Sequence, residues 1–118
     1  LDPALAGNRT QAPAAAQPPP RALYAHFLAA PEAFPDGSPA AAELDRFRQT
    51  LVAMCGGYTE LGPAAGAWLD PSGRVQAEGN RAFLVTCPDN RGAELSRAIR
   101  QRFRQQEAYV LVWGVESP

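Results

Sequence analysis

The apolar positions of this chain switch between two periods. Residues 22–29 (ALYAHFLA) are extended, with Leu23, Ala25 and Phe27 on one side and Tyr24, His26 and Leu28 on the other. Residues 30–37 (APEAFPDG) read as a proline-broken loop. Ser38-Pro39 then offers a hydroxyl cap followed by proline at the first helical position. Leu44, Phe47, Leu51 and Met54 recur at i, i+3, i+7 and i+10, the stripe of a helix that Gly56-Gly57 stops.

The second half repeats the alternation. Residues 58–61 (YTEL) and 66–70 (GAWLD) read as one broken strand, with Gly62-Pro63 as a bulge or bend. Pro71-Ser72-Gly73 turns the chain into residues 75–87, extended and interrupted at Gly79-Asn80. Asp89 or Asn90 opens a second helix that runs to about Gln106, with Leu95, Ile99 and Phe103 spaced by four. Residues 108–115 (AYVLVWGV) give the last strand. The order β-α-β-β-α-β predicts a ferredoxin-like α+β fold, a four-stranded antiparallel sheet with two helices on one face.

Residues 1–20 lack any period and end in Pro18-Pro19-Pro20, so they read as a flexible Pro/Ala-rich arm ahead of a domain at 21–118. Within that domain the first and last strands are apolar on both faces, without the alternation of a sheet that has one wet side. Two helices cover only one face. A homodimer in which the open faces meet, or in which edge strands pair, is the economical answer, with the arm as a contributor. The plainer alternative is that the arm folds back over the open face.

Charge and composition narrow the partners. The formal net charge is -1, and all 11 basic residues are arginine, which with so much alanine and proline reads as coding bias. Such a balance argues against nucleic acid, for which a basic excess is expected. No apolar run reaches the roughly 18 residues of a membrane span. Cys55 and Cys87 are too few for a disulfide framework, and with one histidine no zinc set is complete. In the predicted topology both cysteines fall at one end of the sheet. Neighbouring thiols that simply pack are the commoner outcome in a reducing cell. The residues given carry no signal peptide, which favours the cytoplasm; secretion or a periplasmic home would follow if a leader ahead of Leu1 had been removed.

Candidate chemistry is sparse. His26, the lone imidazole, would be the base or ligand of any histidine-dependent mechanism, but a strand histidine that packs or hydrogen-bonds is the commoner case. Asp70 and Glu78 flank the hairpin turn, where two carboxylates could approach and one be pushed up. Cross-strand pairing with Arg74 and Arg81 is the usual alternative. Arg97, Arg100 and Arg104 form a stripe on the second helix and read as a solvated face. The candidate ligand or partner surface thus comprises Tyr24 and His26 on the first strand and Trp68, Asp70 and Glu78 on the hairpin. Tyr109 and Trp113 on the last strand complete it. No catalytic residue, metal ligand or cofactor is assigned.

Gly57 and Thr59, then Gly66, Trp68, Gly73 and Glu78, with Gln106-Glu107 before the last strand, resemble a pattern in small uncharacterised bacterial domains. There a "GxT…GxW…G…E" hairpin follows a helix. The resemblance spans residues 56–110 and implies a fold and no activity. Together these readings point to a non-catalytic, homodimeric binding or accessory protein, with a protein partner as one option. The alternative is an enzyme or small-molecule binder of the dimeric α+β-barrel type with a cavity at His26.

Overall fold

The computed structural model describes residues 21–118, so the predicted arm at 1–20 lies outside the described residues. Six elements follow in the expected order: β1 (Arg21–Pro31), α1 (Ala41–Cys55), β2 (Thr59–Leu69), β3 (Val75–Cys87), α2 (Gly92–Arg102) and β4 (Tyr109–Ser117). They build one antiparallel sheet in the order β2-β3-β1-β4, the ferredoxin-like arrangement.

Alternation and register decide which side chains meet the helices. His26 pairs with Val85 and Val112, and Leu28 with Phe83 and Val110, so these share the covered face. Against them pack Leu44, Phe47 and Leu51 of α1, Leu95 and Ile99 of α2, and Phe103 just beyond it. Phe47 stands edge-on to both Phe83 and Phe103, at 5.8 and 5.7 Å between ring centroids. Burial of each such side chain contributes roughly 1.5–3 kcal/mol, and this cluster is the main source of stability.

The helix ends depart from the sequence reading. Ser38 does not cap α1: its N–H and Oγ both donate to Asp36 Oδ1 within the loop, and the helix begins two residues beyond Pro39. Gly56, at φ 89°, closes α1 as expected. Asn90 accepts from the Gly92 N–H at the start of α2. That helix ends at Arg102, short of Gln106, because Arg104 takes a left-handed φ of 57° and the Gln105 N–H returns to the Arg100 carbonyl.

The strands, by contrast, run unbroken. β2 absorbs its irregularity as a bulge between Glu60 and Gly62, which turns Leu61 outward, and β3 passes straight through Gly79-Asn80. The bulge sets Glu60 where three elements meet. Its carboxylate takes a two-pronged pair from Arg48 of α1, at 2.8 and 3.1 Å, and a 2.7 Å bond from Arg81 of β3. These hydrogen bonds hold Glu60 down to about 2, below the usual carboxylate range. Arg81 therefore serves Glu60, with Glu32 further off at 3.8 Å, and not Glu78.

Two features frame the site. β1 stops pairing with β3 at Pro31↔Asn80, while β2 and β3 continue from Ala65↔Gly79 to Leu69↔Val75, so a two-stranded ribbon projects past the sheet. The opposite sheet face carries no helix. Tyr109, Leu111 and Trp113 stand about half exposed on it, beside partly buried Leu23 and Phe27. Among the described residues only the helix side is sealed, as two helices on one face of the sheet require. Cys55 and Cys87 do meet at one end of the sheet, and they are joined in a disulfide rather than merely packed.

Candidate functional site

Where the ribbon leaves the sheet, it and the body of the domain enclose a groove of about 790 Å³. The ribbon supplies residues 64–68 with Glu78 and Asn80. The body supplies Phe27, Ala29 and Pro31 of β1 and the residues 104–109 that lead into β4. A second hollow, about 280 Å³, is lined by Cys55, Gly56, Gly57 and Tyr58 beside the disulfide. The larger groove is the better site, since ligand pockets of roughly 300–1,000 Å³ combine apolar walls with a few placed polar groups.

Cross-strand pairing explains its floor. Ala64 faces Asn80, Gly66 faces Glu78 and Trp68 faces Gln76, all on the uncovered face. Gly66 leaves a dent: a Cβ there would stand 3.4 Å from Asn80 Nδ2. Asn80 is only 7% exposed, and among the described residues its carboxamide has no hydrogen-bond partner. A buried amide normally finds one, and the atom that Asn80 turns to the dent is Nδ2, a donor. At the other wall Arg104 lies over the Phe34 ring, 4.4 Å from its centroid, and is held by the left-handed backbone.

The residues singled out from sequence do not form one site. Trp68, Glu78 and Tyr109 come together on the groove. Trp113 shares their face but lies along β4 at the Ala25 pairing, away from the groove. Tyr24 sits at the rim of the helix-covered face, opposite Cys87 and Gly114.

Asp70 is occupied by its own turn. Its Oδ1 accepts from the Ser72 N–H and Oγ–H and from the Arg74 N–H, and its Oδ2 from Gln76. Those bonds hold it down to about 2. The turn itself takes Gly73 at φ 86°. The Asp70 carboxylate thus meets the backbone of Arg74 and not its side chain, so the cross-strand pairing read from the sequence as the usual case is not made, and Asp70 and Glu78 lie at opposite ends of the ribbon strands.

His26 opens on no cavity. It is fully buried under α2, its Nδ1 is 3.1 Å from the Val85 carbonyl, and its Nε2 accepts the Arg91 N–H at 2.9 Å. Both nitrogens are used when Nδ1 carries the hydrogen, so the ring is a tie between sheet and helix start. A cavity at His26, the alternative read from the sequence, is corrected on this ground. Sequence reasoning missed Asn80 and Arg104 as groove residues. Asn80 lies two residues from Glu78 and so shares its face, a signal hidden by reading Gly79-Asn80 as a break. Arg104 was concealed by extending the helix through it.

No group of three or more His, Cys, Asp or Glu side chains suited to a metal ion occurs among the described residues. No helix among them is long and apolar enough to cross a membrane.

No family model matches this chain, and no curated protein matches it. Among solved structures, a Bacillus cereus protein related to NIF3 is similar over 86% of this chain, with a TM-score of 0.60 at 9% sequence identity. The likeness takes in 28% of that protein's chain, so this chain spans under a third of its length. At that identity the match speaks for the fold alone.

Proposed function

We propose that the protein is a non-catalytic binding or accessory protein that associates with a second copy of itself through the open sheet face. The observation that carries this reading is the row Tyr109, Leu111 and Trp113, about half exposed on a face that no helix covers. Its neighbours by register are Leu23, Ala25, Phe27, Leu84 and Thr86, none of them charged. A neutral, apolar face is complementary to itself, because a charged partner would be desolvated against it without compensation. The groove lies at the ribbon end of the same face, beyond Phe27 and Ala29, and supplies the binding function. The hairpin that walls it is the segment by which the chain resembles uncharacterised bacterial domains.

Sedimentation of the full chain at micromolar concentration tests the association. A dimer is expected, and Trp113→Glu should weaken it at least about 100-fold while leaving the circular dichroism unchanged. A wild-type monomer at those concentrations overturns the reading.

A further inference from the structure

We propose that the groove beside the ribbon binds a neutral, planar cyclic amide, whose carbonyl meets Asn80 and whose N–H meets Glu78. The inference rests on the reading of the chain as a binding protein and names the class of ligand. Asn80 supplies the sign of a ligand, since it is 7% exposed and its side chain has no hydrogen-bond partner among the described residues. Its Nδ2 faces the dent at Gly66, so the group that fills the dent must accept a hydrogen. Glu78 lies two residues along the same strand and on the same face, opposite Gly66 itself. Its carboxylate has no partner among the described residues, because Arg81 is taken by Glu60 and Glu32. The floor of the groove therefore offers a donor and an acceptor side by side.

That pair selects the edge of the ligand. A carboxylate in the dent would satisfy Nδ2 but stand beside the Glu78 charge, and an ammonium group would set its hydrogens against those of Nδ2. The facing wall tips the balance neither way: Arg104, stacked on Phe34, and Glu107 put one charge of each sign on it. A neutral amide carries both an acceptor and a donor. In an open-chain trans amide these point opposite ways, whereas in a small ring the carbonyl and the N–H lie cis, on one edge. Trp68, diagonal to Glu78 across the two strands and about half exposed, gives such a ring a flat face to stack on. Tyr109 belongs to the association face and takes no part.

Calorimetry on the full chain at neutral pH tests this with flat two-ring compounds. Carbostyril, the lactam of the quinoline ring, should bind. N-methylcarbostyril, which keeps the carbonyl and loses the N–H, should bind at least about tenfold more weakly. Naphthoate and protonated naphthylmethylamine should both bind more weakly than carbostyril. Glu78→Met should cost carbostyril about tenfold and leave the N-methyl compound unaffected, whereas Asn80→Leu should weaken both. Gly66→Val should abolish binding by filling the dent against Asn80. Equal affinity for carbostyril and its N-methyl derivative, or stronger binding of either charged compound, overturns the proposal. Should Gly66→Val disturb the ribbon, the other two variants decide; unchanged carbostyril affinity in either Glu78→Met or Asn80→Leu also overturns it. Sedimentation of the same samples separates the two readings. A dimer that ignores carbostyril defeats this inference alone, whereas a monomer that binds it defeats only the self-association.

Discussion

Cys55, the last residue of α1, is bonded to Cys87, the last residue of β3, with 4.8 Å between their Cα atoms. The bond spans a sequence separation of 32 residues, and closing a loop of that length is worth about 3–4 kcal/mol in the chain-entropy account. Reduction, or the double replacement Cys55→Ser with Cys87→Ser, should lower the urea unfolding free energy by about 3 kcal/mol. An unfolding midpoint that ignores dithiothreitol would show that the thiols are not joined.

His26→Phe removes the acceptor for the Arg91 N–H and the partner of the Val85 carbonyl, and leaves both buried. The expected loss is about 2–3 kcal/mol, with faster hydrogen exchange at Arg91. His26→Gln, which can donate and accept, should recover part of it. Loss of stability without loss of groove binding is the pattern that a tie between sheet and helix requires.

Acid should weaken the fold through Glu60. Its folded value of about 2 lies below the ordinary glutamate value of 4.5, so the carboxylate's contribution is complete above the unfolded value. It is lost as pH falls from about 5 to about 2. Urea midpoints measured at pH 6 and pH 3 should differ more in the wild type than in Glu60→Gln, which has no carboxylate to protonate. The same variant should lose about 1–2 kcal/mol at pH 6, because Arg48 and Arg81 are left facing an amide.

Phe47→Ala should be the most damaging of the core truncations, at about 3–5 kcal/mol. The side chain is fully buried and holds Phe83 and Phe103 in edge-on packing from both sides. Thermal unfolding of this variant against Val52→Ala, whose side chain is about half exposed, gives the contrast.

The fold was legible because its signals are periodic. Leu44, Phe47 and Leu51 are spaced for one helix face, and Leu95 and Ile99 for another, and all five are buried where that spacing puts them. Strand ends and caps were harder. Ser38-Pro39 has the residues of a helix start, yet Asp36 captures the serine first. Glycine misled in the strands: Gly62 marks a bulge, but Gly79 continues the ladder and its carbonyl accepts the Glu32 N–H. The groove was only half visible. Trp68, Glu78 and Tyr109 stand out as residue types, whereas the dent at Gly66 and the buried amide of Asn80 depend on which strand positions face each other. Register across two strands is not written in either one.

The projecting ribbon separates two demands that a small domain usually has to meet with the same residues. Its outer pairs, Trp68↔Gln76 and Leu69↔Val75, lie far from Phe47 and Phe83, and their side chains add nothing to the central cluster. A two-stranded ribbon is marginal by itself in water, so it is expected to open locally long before the sheet does. Changes there alter what the groove admits at almost no cost to the rest of the molecule. Specificity can therefore drift in evolution on one strip of sequence, residues 64–78, while the buried residues stay under their own constraint.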